Sequence, residues 1–186
     1  IDGITNKDPA ANTQTRPSSP NFANVTVITT GGKAVRDNGP SLAITFDDEF
    51  SGSFFNTLLV KKEGKNTQCI NFKTPGQVRA DKIKMVSSVM ACDAEFSQAG
   101  GLFTTGPLNT TAMSVWFDNG GVSQRLGAIG DSVAADGYST NTASTKIPVK
   151  PNDLKTLDAA FYDQEGAKFI GALSDKDTTS NWAKWV

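Results

Sequence analysis

Carboxylates carry most of the acid and base chemistry open to this chain, because the sequence contains no histidine. Without histidine, the chain cannot form a Ser-His-Asp or Cys-His triad, and a histidine-ligated metal site is excluded as well. Three local clusters of acidic residues are candidates for such chemistry, Asp47-Asp48-Glu49, Asp93 with Glu95, and Asp175 with Asp177. The chemistry to consider is therefore that of carboxylate pairs.

Paired carboxylates support two kinds of site. A glycoside hydrolase needs two of them facing each other across a sugar, roughly 5 to 10 Å apart. Ca²⁺ binds clusters of carboxylate and carbonyl oxygens, and no EF-hand loop is present. The first prediction for Ca²⁺ is the cluster Asp47, Asp48 and Glu49, and calcium is the one cofactor that the sequence suggests.

One short motif points to a nucleophile. Gly130-Asp131-Ser132 resembles the block that carries the serine of GDSL-type esterases and lipases. That resemblance implies an α/β fold, a block near the N-terminus and a histidine base. Here the block lies two-thirds along a β-rich chain without histidine, so we interpret it as a loop tripeptide.

The tryptophans are the candidate ligand-binding residues. Flat indole faces stack on sugar rings, and exposed tryptophans on a β-sheet surface would suit a carbohydrate-binding module. The alternative is that each tryptophan packs over the core. The chain has three of them, Trp116, Trp182 and Trp185.

The cysteines and sequons bear on localisation. Cys69 and Cys92 form no C-x-x-C motif, and they either bond to each other or stay buried as small apolar residues. Asn24 and Asn109 each begin an Asn-x-Thr sequon and are predicted glycan acceptors in a eukaryotic secretory protein. Together these features favour a secreted or cell-surface location.

Charge and hydropathy exclude some partners. The sequence has 18 Lys+Arg and 19 Asp+Glu, a formal net charge of -1, and no basic run that would bind nucleic acid or an anionic membrane. No stretch approaches the ~20 apolar residues of a membrane helix. Residues 1–21 are polar and end in a proline-rich stretch, which predicts a flexible N-terminal arm followed by one domain over 22–186.

Alternating apolar residues predict β-structure along that domain. Residues 23–30 and 41–46 are predicted strands, and residues 54–72 are predicted to form a hairpin around Glu63-Gly64-Lys65-Asn66. A second hairpin is predicted over 112–126, turning at Asn119-Gly120. A third is predicted over 153–175, with Phe161 opposite Phe169 and Gly166 as a bulge.

Residues 81–98 suit either a helix or two short strands, and strands are favoured because neither end has a clear helix cap. About eight short strands with regular turn signals predict an all-β fold, an antiparallel β-sandwich of immunoglobulin-like or jelly-roll topology.

The function predicted from the sequence is recognition without catalysis. We expect a secreted or surface-exposed adhesin, pilus-like or effector-type module whose partner is a protein or glycan on a cell surface. The alternatives are a structural coat or fibre subunit, which would self-assemble through the N-terminal arm, and a carboxylate-based glycoside hydrolase.

Overall fold

The computed structural model describes residues 19–29, 41–46, 50–61, 67–72, 83–92, 94–98, 110–118, 123–125, 150–154 and 169–172. Within these ranges the chain forms ten strands and one helix. The strands are β1 (Asn21–Ala23), β2 (Thr26–Thr29), β3 (Ser41–Phe46), β4 (Gly52–Phe55), β5 (Leu58–Lys61), β6 (Thr67–Phe72), β7 (Ile83–Val86), β8 (Val89–Ala91), β9 (Ala94–Gln98) and β10 (Gln124–Arg125). The helix is α1 (Thr110–Asp118), between β9 and β10.

All strand pairs in the described part of the chain are parallel, and they form three sheets. We call β1-β4-β7 sheet 1, β10-β8-β5-β2 sheet 2 and β3-β6-β9 sheet 3. Three successive turns of the chain each add one strand to every sheet, and we call these turns coil 1, coil 2 and coil 3. This is the architecture of a parallel β-solenoid. The prediction of an antiparallel β-sandwich is wrong.

The parallel pairing follows from a repeat in the chain. In sheet 1, residues that stack in register are 32 positions apart between β1 and β4 and 31 positions apart between β4 and β7. Strands that are close in sequence therefore belong to different sheets. The predicted hairpin over 54–72 is wrong for this reason, because β5 pairs with β2 and β8 while β6 pairs with β3 and β9.

The core is enclosed by the three sheets. Inward side chains stack from coil to coil, as in the column of Phe22, Phe54 and Met85 in sheet 1. Phenylalanine rings from different sheets meet inside this core, and the ring centroids of Phe46 in sheet 3 and Phe54 in sheet 1 lie 5.7 Å apart. Such aromatic contacts bury large areas and supply much of the stabilising free energy.

Sheet 1 passes into sheet 2 through a tight corner that repeats in every coil. Asn24, Asn56 and Ser87 occupy this corner with φ of 51°, 52° and 49°. Asparagine tolerates the left-handed conformation better than most residues, which explains its presence in two of the three corners. The interstrand hydrogen bonds continue through the corner, since the Asn56 amide donates to the Val86 carbonyl oxygen at 3.0 Å.

A second apolar cluster lies on the outer face of sheet 2. While Leu59 and Met90 face the core, their neighbours in β5 and β8 pack outside it with Ile170. The C-terminal residues 169–172 thus cover the outer face of this sheet. The outer cluster consists of Leu58, Val60, Val89, Ala91 and Ile170, with Ile28 partly buried against it.

The asparagine corners hold the C-terminal residues in place. The side-chain amide of Asn24 donates to the carbonyl oxygens of Phe169 at 2.8 Å and Gly171 at 3.2 Å. The backbone carbonyl oxygen of Asn56 accepts a hydrogen bond from the backbone N–H of Gly171 at 2.7 Å. The side chain of Asn56 donates one hydrogen bond to the backbone carbonyl oxygen of Asn152 and accepts one from its backbone N–H. The polar corner residues therefore hold residues 169–172, which include the apolar Ile170, over the outer face of sheet 2.

A helix replaces the hairpin predicted over 112–126. Residues 110–118 form α1, and the short strand β10 that follows pairs with β8. Phe117 is fully buried in the core, with its ring centroid 6.5 Å from that of Phe96. An ion pair between Arg125 Nε and Asp118 Oδ1, 2.9 Å long, ties the helix to β10.

Other predictions had different outcomes. Within 81–98 the described residues form strands rather than a helix, as favoured, but they form three strands, β7, β8 and β9, where two were predicted; residues 41–46 form β3 as predicted. Of the hairpin predicted over 153–175, residues 169–172 consist of bends rather than a strand, and residues 155–168 and 173–175 lie outside the described residues. Of the predicted arm, only residues 19–21 are described, and β1 already begins at Asn21.

Candidate binding surface

Trp116, the first predicted ligand-binding residue, lies on α1 at the edge of the core. Its indole N–H donates to the Ile83 carbonyl oxygen at 2.8 Å, and the ring is half-buried. Its ring centroid lies 5.4 Å from that of Phe72 and 6.3 Å from that of Phe117, both in edge-on geometry. In this position Trp116 anchors α1 to β7.

Most of the other predicted site residues lie outside the part of the chain that the structure describes. This group comprises the tryptophans Trp182 and Trp185, the predicted Ca²⁺ ligands Asp47, Asp48 and Glu49, the sequon residue Asn109 and the Gly130-Asp131-Ser132 motif. Their roles stay predictions. Among the residues that are described, no group of three or more His, Cys, Asp or Glu side chains could hold a metal ion.

The predicted disulfide is confirmed. Cys69 and Cys92 are bonded, with Cα atoms 5.6 Å apart. Cys69 belongs to β6 in coil 2, and Cys92 directly follows β8 in coil 3, so the bond joins successive coils. Both cysteines are almost fully buried.

Asn24, a predicted glycan acceptor, occupies the first asparagine corner. Its Nδ2, the atom that would carry a glycan, donates to two carbonyl oxygens of the C-terminal residues. An amide nitrogen has two hydrogen atoms, so both are in use. Asn24 thus already has a structural role in this fold.

The outer face of sheet 1 carries a polar column that was not predicted from the sequence. Asn21, Ser53 and Lys84 stand in register on β1, β4 and β7. They alternate with the inward Phe22, Phe54 and Met85 and therefore point outward. Asn21 and Lys84 are exposed and Ser53 is half-buried, so the column is open to solvent.

We call Asn21, Ser53 and Lys84 the sheet 1 column. Neighbouring strands are about 4.8 Å apart, so an amide, a hydroxyl and an ammonium group follow one another along the solenoid at that spacing. All three side chains can donate hydrogen bonds, and the first two also accept them. Their backbone positions are fixed by the ladder of sheet 1, which limits the ordering entropy that a ligand must offset.

Sequence reasoning missed this column because its members are about 31 residues apart and stand next to no other polar motif. The available signal was the internal repeat itself. The same pattern occurs in three triplets, Phe22-Ala23-Asn24, Phe54-Phe55-Asn56 and Met85-Val86-Ser87. Aligning these triplets also aligns the residues that precede them, Asn21, Ser53 and Lys84.

None of the helices in the described ranges is long and apolar enough to cross a membrane. Comparison of the chain with protein-family models, with curated proteins and with solved structures finds no match.

Proposed function

We propose that this protein is a secreted or surface-exposed recognition module, without chemistry of its own, that binds a glycan along the outer face of sheet 1. The observation that carries the proposal is the sheet 1 column, in which Asn21, Ser53 and Lys84 stand exposed or half-exposed in one register. The class remains that of an adhesin, pilus-like or effector-type protein.

The disulfide supports the location. Disulfides persist in oxidising compartments and are rare in the cytosol, where thiols are kept reduced. A buried bond between coils, such as that of Cys69 and Cys92, is a structural crosslink. This favours a secreted or cell-surface protein.

The chemistry of the column favours a polyhydroxylated ligand. Sugar hydroxyl groups both donate and accept, as do the amide of Asn21 and the hydroxyl of Ser53, and the ammonium of Lys84 adds three donors. Repeated sugar units along a chain would meet repeated polar groups along the solenoid. In this proposal Trp182 and Trp185 would add stacking surfaces for sugar rings.

The test is binding of the full chain to a panel of purified glycans, followed by titration calorimetry on any glycan that binds. We expect the double variant Asn21→Ala, Lys84→Ala to weaken binding about tenfold or more, because a hydrogen bond to a charged group contributes about 1.5 to 3 kcal/mol. Lys150→Ala is the matched control, since it removes an exposed lysine from the segment 150–154.

Two results would contradict the proposal. One is the absence of binding across a broad glycan panel, which would leave a protein surface as the partner of the module. The other is a glycan that binds the double variant as tightly as the unaltered chain, which would place the binding face elsewhere.

A further inference from the structure

The sequon Asn24-Val25-Thr26 contacts residues 169–172, which we call the C-terminal cover, through both of its defining side chains. Asn24 Nδ2 donates hydrogen bonds to two carbonyl oxygens of the cover, at 2.8 and 3.2 Å. Thr26 Oγ1 accepts one from the backbone N–H of Ala172 at 2.8 Å. An asparagine amide and a threonine hydroxyl at this spacing define an N-glycosylation site. Here the chain's own C-terminal cover occupies both groups.

The C-terminal cover approaches the sequon too closely to leave room for a sugar. A single carbon atom added at Gly171 would lie 2.7 Å from Thr26 Oγ1, which is shorter than an ordinary contact between carbon and oxygen. The backbone N–H of Gly171 donates to the Asn56 carbonyl oxygen at 2.7 Å, and the neighbouring Ile170 is 2% exposed in the outer cluster of sheet 2. These contacts hold the cover against the sequon, so a sugar ring on Asn24 would have to displace it.

The backbone of the sequon is fixed by the pairing of coils 1 and 2. Asn24 occupies the first corner with φ of 51°, and its backbone N–H donates to the Phe55 carbonyl oxygen at 3.0 Å. The Val25 carbonyl oxygen accepts from the backbone N–H of Leu58 at 2.7 Å. A rearrangement of the sequon would break this pairing, whereas displacement of the C-terminal cover leaves it intact. The cover is therefore the part that must give way to a glycan.

Attachment of a glycan alters the same nitrogen atom that holds the C-terminal cover. In transfer from a lipid-diphosphate-linked oligosaccharide, the bond between sugar C1 and the diphosphate oxygen breaks, and its electron pair leaves with the diphosphate. A new bond forms between C1 and Asn24 Nδ2, and that nitrogen loses one hydrogen atom as a proton. One N–H then remains, so the modified amide can donate to only one of the two carbonyl oxygens that it holds in the closed chain.

We propose that Asn24 carries a glycan only in chains whose C-terminal cover is open, because the glycan and the cover compete for the side chains of Asn24 and Thr26. An unmodified chain closes the cover over sheet 2. A modified chain leaves the outer cluster of sheet 2 without its contact to Ile170. Glycosylation therefore acts as a switch for the cover. It requires a secretory compartment, the location proposed above, as the source of the oligosaccharide donor.

The test compares the full chain from two hosts, with Asn109→Gln leaving Asn24 as the single sequon. Cultured eukaryotic cells secrete the chain through a pathway that attaches glycans, and a bacterial periplasm supplies the unmodified chain with its disulfide. Intact mass identifies the glycosylated species, and hydrogen exchange follows the backbone amides of Gly171 and Ala172. We expect these amides to exchange at least about tenfold faster in the glycosylated chain, while those of β4 and β7 stay equally protected in both.

Ile170→Asp, added to the Asn109→Gln chain, opens the cover without altering the sequon, because it places a charge among the apolar residues of the outer cluster. In this variant the amides of the cover should exchange fast even without a glycan, and Asn24 should be glycosylated at least as fully as in the Asn109→Gln chain. Ala172→Ser, at an exposed position of the cover, is the matched control and should behave like the Asn109→Gln chain. Gly171→Ala supplies a milder opening if Ile170→Asp is not secreted.

Three results would overturn the proposal. One is equal exchange at Gly171 and Ala172 in the glycosylated and unmodified chains. Another is an Asn24 that stays unmodified in both the Asn109→Gln chain and the Ile170→Asp variant, and the third is glycosylation that Ile170→Asp abolishes. Glycosylation that appears only with Ile170→Asp would support the proposal. Each outcome is independent of the glycan face of sheet 1, because the host supplies the oligosaccharide donor.

Discussion

Sheets 1 and 2 stand side by side in the same coils, yet sheet 1 keeps a solvated column on its outer face while β5 and β8 of sheet 2 are buried on both faces. In β7 of sheet 1, the exposed Lys84 lies between the buried Ile83 and Met85. In β5 of sheet 2, Leu58, Leu59 and Val60 are all buried. The difference is the C-terminal cover over sheet 2.

This comparison shows how distant parts of the chain decide the character of a strand. Parallel strands covered on both faces become nearly continuous apolar runs, while strands with one solvated face keep alternating. The cover on sheet 2 comes from residues 169–172, more than 100 positions after β5. The outer face of sheet 2 is therefore buried like the core. Substitutions on this face should lower the free energy of unfolding as much as substitutions in the core do.

The largest expected effect tests that statement directly. Leu58→Ala on the outer face and Leu59→Ala on the inner face should each lower the free energy of unfolding by about 2 to 5 kcal/mol, because both remove buried methyl groups and leave a cavity. Urea denaturation of the two variants measures the effect. A loss below about 1 kcal/mol for Leu58→Ala alone would mean that the cover over sheet 2 is not formed in solution.

Removal of the disulfide tests the covalent link between coils 2 and 3. The bond joins β6 of sheet 3 to the residue that follows β8 of sheet 2, and sheet 1 has no such bond. The double variant Cys69→Ala, Cys92→Ala should lose about 3 kcal/mol of stability, the loop-closure value for cysteines separated by 23 positions. Alanine avoids burying a new hydroxyl group. Denaturation of the unaltered chain with and without a thiol reductant provides the comparison, and equal stability in both would contradict the expected crosslink.

Several strands and the disulfide could be predicted from the sequence, whereas the pairing of the strands could not. Alternation identifies β3 because Ile44 and Phe46 face one way, but the same alternation suits parallel and antiparallel partners equally. Hairpins were favoured because turn residues separate neighbouring strands. A search for repeats would have aligned Phe22, Phe54 and Met85 and so indicated stacked coils.

The helix α1 is a second feature that was not predicted from the sequence. Val115, Trp116 and Phe117 favour strands by propensity, and Asn119-Gly120 is typical of a hairpin turn. The same Asn-Gly pair also suits the end of a helix, where a residue in the left-handed conformation commonly follows. Tertiary packing decided between them, because a helix places Phe117 in the core and brings the Trp116 indole to Ile83.

The candidate site was predictable only in part. Trp116 could be named from its residue type, but the sequence does not show that its N–H already has an acceptor. Asn24 was named as a sequon, yet its amide holds the C-terminal cover. The sheet 1 column depends on register between distant strands, which only the three-dimensional pairing supplies.

A smaller effect is expected where the cover meets sheet 2. Gly171 has φ of 94°, and a Cβ there would lie 2.7 Å from Thr26 Oγ1 and 3.3 Å from Leu58 Cβ. Gly171→Ala should therefore cost about 1 to 3 kcal/mol through backbone strain and steric overlap. Ala172→Ser, at the exposed neighbouring position, is the matched control and should stay within about 0.5 kcal/mol. Thermal unfolding of both variants at one pH measures the difference, and equal midpoints would show that Gly171 does not approach sheet 2 this closely.

The smallest effect is expected on the solvated face of sheet 1. Lys84 lies on the same strand as the buried Met85, but its side chain is exposed. Lys84→Ala should therefore change the free energy of unfolding by less than about 0.5 kcal/mol, the usual range for a surface substitution. Met85→Ala on the opposite face should cost about 2 to 5 kcal/mol, so one strand supplies both the test and its reference. A large loss for Lys84→Ala would mean that this face is packed against other parts of the chain. It would then be unavailable to a glycan, because the same surface cannot be both a covered core face and an open binding face.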